Sequence, residues 1–88
     1  MPNRPRAIVR IDVPGDGGVR TVTITVPILV ESLTAGERVN PALEGRILVD
    51  MRTALEKLGV RLADDAIVMV ERIDGHLAWC RVRTATPG

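Results

Sequence analysis

Few side chains in this sequence could do covalent chemistry, and those few are poorly spaced for it. His76 is the only histidine and Cys80 the only cysteine. Four residues apart on one extended strand, they would be separated by roughly 13 Å, beyond the hydrogen-bond reach that a nucleophile and its base require. Cys80 therefore reads as a buried structural thiol and His76 as an exposed turn residue. A lone cysteine can form neither an intrachain disulfide nor a cysteine zinc site within one chain, which fits a reducing compartment.

Hard cations need six or more converging oxygens, and Asp64-Asp65, even joined by Glu71 or Asp74, falls short of that. Pro14-Gly15-Asp16-Gly17-Gly18 has the glycine content of a phosphate-cradling loop. It lacks the Lys-Ser/Thr pair and leads into a strand, where phosphate sites use a helix N-terminus. The expectation is a non-enzymatic protein with no metal and no cofactor.

The residues with the best claim to bind something charged are Arg4, Arg6, Arg10, Arg72, Arg81 and Arg83. Twelve basic against eleven acidic residues leave a net charge of only +1, far from the footprint of a protein held to nucleic acid by phosphates. Sheets that read single strands also bring two or three stacking aromatics. Here there is one tryptophan, Trp79, and no Phe or Tyr. Arginines on solvent-facing strand positions serve solubility and edge protection, so nucleic-acid binding through an arginine-rich sheet face is the alternative expectation and not the first.

The elements that must position these residues follow from periodicity. Ala7, Val9, Ile11 and Val13 alternate with Arg6, Ile8, Arg10 and Asp12, and Val22, Ile24 and Val26 alternate with Thr21, Thr23 and Thr25. Both runs have the period of a half-buried strand, and the glycine-rich stretch between them makes a hairpin with a five-residue loop. Pro27 ends or edges the second strand. Ile28-Leu29-Val30 is too apolar to lie free, and either continues the strand past a bulge or covers part of the core.

Asn40-Pro41 is a helix start, an N-cap oxygen followed by proline at the first helical position. Leu43, Ile47, Met51, Leu55 and Leu58 then form one apolar stripe with Leu48 and Ala54 beside it, while Glu44, Arg46, Asp50, Arg52, Glu56 and Lys57 take the other side. Gly59 is the expected residue after the end, so the helix is predicted over Pro41 to Leu58. Ala66 to Ile73 and His76 to Thr84 flank Asp74-Gly75, the strongest hairpin signal in the chain.

These elements predict an α+β fold: a four-stranded antiparallel sheet with one amphipathic helix, in the order β-β-α-β-β. The 88 residues fit one small domain, with flexible ends at 1–5 and 85–88. No apolar run approaches the ~20 residues that span a bilayer, and the start of the chain has no signal-peptide pattern. The expected location is cytoplasmic.

Taking Asp74-Gly75 as the two turn residues sets Met69 against Cys80 and Val70 against Trp79. Ile67, Met69, Ile73, Ala78, Cys80 and Val82 then share the face toward the helix. Val68, Val70, Leu77 and Trp79, with Arg72, Arg81 and Arg83, share the other. That second group has the composition of an interface, an apolar centre with an arginine rim. The expected function is a protein-protein interaction or assembly module, a homo-oligomer or a subunit of a larger bacterial or phage complex, docking through this face or a strand edge.

Overall fold

A computed structural model describes residues 4–15 and 17–84. Strand β1 (Arg6–Gly15) pairs with β2 (Gly18–Pro27), and β3 (Ala66–Asp74) pairs with β4 (Leu77–Thr84), with helix α1 (Pro41–Glu56) between the two hairpins. The chain order β-β-α-β-β is as expected. The sheet is not purely antiparallel: its order is β2-β1-β4-β3, and β1 runs parallel to β4. Two hairpins laid side by side can meet through strands of either direction, and the crossover through α1 brings β4 in alongside β1 in the same sense.

Both ends of the helix follow the sequence signals. The Leu43 N–H donates to Asn40 Oδ1 at 2.9 Å, and at the other end the Val60 and Gly59 N–H groups donate to the Leu55 and Glu56 carbonyls, with Gly59 at φ 72°. This is a Schellman stop, for which glycine is the natural residue. The helix itself ends at Glu56, two residues short of Leu58, which is exposed. No helix among the described residues is long and apolar enough to cross a membrane.

The first hairpin is tighter than expected. Gly15 pairs directly with Gly18, so two residues lie between the strands and not five; Asp16 lies outside the described residues. The strand β2 stops at Pro27, and Val30 opens a short 3-10 turn, Val30–Ser32. Val30 is buried in the core and Ile28 packs against it, whereas Leu29 is 69% exposed. This segment therefore closes one end of the core under the helix. The ends expected to be flexible lie outside the described residues apart from Arg4 and Pro5, and the Pro5 carbonyl accepts from the Ile28 N–H at 3.3 Å.

One layer of aliphatic side chains fills the space between sheet and helix. Val9, Val26, Val68, Val70 and Cys80 from the strands meet Ile47, Met51 and Leu55 from α1, all essentially without exposure. With no Phe or Tyr to supply area, each aliphatic contact carries a large share of the stability.

Glu44 was assigned by periodicity to the wet side of the helix, yet it is only 6% exposed. Its carboxylate accepts from Arg38 Nε at 2.7 Å, from Arg38 Nη2 at 2.5 Å, and from the Val68 N–H at 3.1 Å. The Arg38 guanidinium, with the Val68 N–H, holds the Glu44 carboxyl below the ordinary 4.5 against the opposing effect of burial. The chain just before the helix continues the same seam: Gly36 N–H donates to the Val70 carbonyl, Val70 N–H to the Glu37 carbonyl, and Val39 N–H to the Val68 carbonyl. The outer edge of β3 is thus closed at Val68 and Val70.

Two outcomes follow. Leu55→Ala and Ile47→Ala should each lower stability by about 2–5 kcal/mol, measured by denaturant unfolding. Glu44→Gln should cost about 2 kcal/mol at neutral pH through loss of charged hydrogen bonds. Because the native carboxyl binds its proton less readily than the unfolded one, Glu44 stabilises fully above the ordinary carboxylate range and loses that effect as pH falls through its lowered native value. Unfolding curves from pH 7 down to pH 2 should therefore converge for the two proteins at the acid end.

Candidate protein interface on the outer sheet face

The face of the sheet turned away from α1 holds most of the residues singled out for docking, but in a different register from the expected one. Asp74 pairs with Leu77, so the turn residues of the second hairpin are Gly75 and His76. Gly75 has φ 60° and no non-glycine residue among the described residues has positive φ, the pattern of a type II′ turn. Moving the turn by one residue slides the register by two and leaves every side chain on its face. A β-bulge then undoes that: Arg72 pairs with Trp79 but Val70 with Cys80, so Glu71 is one residue too many on β3.

Beyond the bulge the faces exchange. Val68 and Val70, expected at the interface, point at the helix and are buried. Ile67 and Met69, expected in the core, come to the outer face opposite Arg83 and Arg81. Arg72, Leu77, Trp79, Arg81 and Arg83 lie where they were placed. From β1 the outer face also receives Ile8, paired with Trp79, and Arg10, paired with Arg81; Ile8 had not been considered for the site. The apolar centre is thus Ile8, Leu77, Trp79, Met69 and Ile67, all half-buried.

A sequence signal for the bulge was present. If Ile67, Met69 and Ile73 all faced the helix by strict alternation, Glu71 would face it too, an unpaired carboxylate in an aliphatic core. The inserted residue removes that conflict.

The bulge also gives Glu71 its partners. Arg10 and Arg81 stand side by side on β1 and β4, a repulsive arrangement on its own. Glu71 lies between them, with Oε1 3.0 Å from Arg10 Nη2 and Oε2 3.3 Å from Arg81 Nε. The Arg10 hydrogen bond is the main reason its carboxyl is held below the ordinary value, with both guanidinium charges adding to it against burial. Arg81 Nη1 also donates to Asp12 Oδ2 at 2.9 Å, and Asp12 Oδ1 accepts from the Thr21 hydroxyl at 2.9 Å. The network reaches all four strands. Its members are partly exposed, so each pair stabilises only modestly, but together they hold the arginines in place.

Trp79 is covered from one side by Arg72, whose guanidinium carbon is 5.3 Å from the ring centroid, within cation–π range. The indole Nε1 is buried and has no hydrogen-bond acceptor among the described residues. An unpaired buried donor costs free energy that an incoming carbonyl or carboxylate could recover.

The candidate nucleophile is elsewhere. Cys80 faces the helix, fully buried, and burial pushes its thiol up to about 11, with the Glu71 charge adding to the effect. Its thiol is protonated at neutral pH, and His76 is exposed in the turn. Among the described residues no three His, Cys, Asp or Glu side chains come together as metal ligands. No protein-family model, curated protein or solved structure matches the chain.

Native protein at pH 7.5 should accordingly resist alkylation at Cys80, with iodoacetamide labelling rising at least about a hundredfold in denaturant, followed by mass spectrometry. Rapid labelling of the folded protein would place the thiol at the surface.

Proposed function

We propose that this chain is a non-enzymatic docking module that holds a protein partner against its outer sheet face, with Trp79 as the anchor. The observation that carries this reading is the uncovered apolar centre of Ile8, Leu77, Trp79, Met69 and Ile67. An antiparallel or mixed sheet with only one helix normally turns a polar face to water, and this face instead has a tryptophan at its middle and arginines around it, as interface centres do.

The rim favours an acidic partner. Arg6, Arg10, Arg72, Arg81 and Arg83 stand on this face against Asp12, Glu71 and Asp74, leaving it positive. A carboxylate beside an apolar side chain would meet both halves of the site, the arginine rim and the apolar centre. The same face weighs against nucleic acid. Trp79 is the one aromatic residue of the chain, and Arg72 occupies the indole surface on which a base would stack.

The test is selection of binding peptides from a random library against the intact protein, with binding read by the emission of its single tryptophan. Selected peptides should be acidic and apolar, shift the emission to the blue, and lose about 2 kcal/mol or more of affinity to a folded Trp79→Ala variant. Peptides that bind Trp79→Ala as tightly as the parent would remove this face from the interface. Tight oligonucleotide binding that collapses with salt would replace a protein partner by nucleic acid.

A further inference from the structure

The two edges of the sheet are treated differently. The outer edge of β3 is closed by Gly36, Glu37, Val39 and the Glu44 carboxylate. The outer edge of β2 has no backbone partner among the described residues, and it runs for ten residues. Its one charged residue, Arg20, stands near its start on the helix side, opposite Val13, and from Thr21 to Val26 the edge has neither a charge nor a bulge to block pairing.

Which groups this edge offers follows from its pairing with β1. The Ile28 N–H reaches the Pro5 carbonyl, and the Arg6 N–H turns the other way, to the His76 carbonyl. In an antiparallel pair, hydrogen-bonded and non-bonded positions alternate. Val22, Ile24 and Val26 therefore spend their N–H and C=O groups on β1, and Val19, Thr21, Thr23 and Thr25 point theirs at solvent.

We propose that β2 pairs with the β2 strand of a second copy of this chain, antiparallel, about a twofold axis at Thr23. In that register Thr23 meets the second copy's Thr23, and Thr21 meets the second copy's Thr25. Each of these threonines has an outward donor and acceptor, so the centre of the ladder forms without an unpaired group, and only at its two ends does Val19 meet the second copy's Pro27, which accepts but cannot donate. On the outer face the threonines become cross-strand Thr–Thr pairs, and on the helix side Val22 meets the second copy's Ile24, both favourable combinations. Both of these residues are only half-buried in one chain. Arg20 lands opposite the second copy's Val26, and the two Arg20 side chains lie at opposite ends of the ladder, clear of like-charge contact.

Neighbouring registers are worse. Centring on Thr21 brings the two Arg20 side chains within two positions of each other and shortens the ladder. Centring on Thr25 moves Pro27, which has no N–H, from the ends of the ladder to a place beside the axis, against Thr23. A self-complementary edge with one register better satisfied than its neighbours is what an isologous interface requires, and it is why a second copy is the occupant. The inference does not rest on Trp79, because β2 gives Thr21, Thr23 and Thr25 to the outer face but pairs through its backbone edge.

Sedimentation velocity over a range of concentrations tests it directly. The protein should associate to a dimer. Thr23→Pro removes one outward N–H per chain, two ladder hydrogen bonds per dimer, and should weaken association about thirtyfold with an unchanged circular dichroism spectrum, since that N–H makes no bond within the chain. Thr23→Lys, which sets two like charges on the axis without touching the backbone, should do the same. A protein monomeric at the highest concentrations reached, or folded Thr23→Pro and Thr23→Lys variants that dimerise as the parent does, would overturn the proposal.

Discussion

One surplus residue, Glu71, decides what the second hairpin does. Strand pairing has a strict period of two, so a single insertion turns over every side chain beyond it. Without the bulge, Met69 and Ile67 would face the helix and Val68 and Val70 would face solvent. With it, two valines complete an aliphatic core, and the longer, more adaptable Met69 joins Trp79 outside. The carboxylate carried at the bulge then separates two adjacent arginines. Core composition, outer-face composition and the charge network are three results of one local irregularity.

A second division runs along the edges of the sheet. Glu44 connects the first turn of the helix to the Val68 N–H on the outer edge of β3 and to Arg38 in the chain that leads into the helix. A buried carboxylate is tolerated there because Arg38 and the Val68 N–H both donate to it. The opposite edge has no such closure. The sheet is therefore finished on one side and open on the other.

Much of the architecture was legible in the residues. The capping asparagine and proline at positions 40 and 41, the apolar stripe from Leu43 to Leu55 and the stop at Gly59 define the helix through local stereochemistry, and alternation defines the four strands. What was not legible depends on distant partners. Alternation is the same in parallel and antiparallel strands, so nothing in β1 or β4 announced that they run together. Glu44 resembles any solvent-side glutamate until Arg38 and Val68 are placed beside it. The faces of β3 could be read either way because Ile67 through Val70 are all apolar, and only the awkward position of Glu71 pointed to the right one.

The parallel pairing of β1 with β4 joins the two ends of the chain. Each hairpin can zip from its own turn within microseconds, and the helix is faster still. Closing the sheet is another matter, because the loop entropy of nearly the whole chain must be met before any β1–β4 bond forms. Folding should thus be governed by a late docking of two preformed halves, slow for so small a protein. During synthesis β1 leaves the ribosome well before β4, so Ile8 and Val9 wait without Trp79 and Cys80 beside them until the second hairpin has emerged.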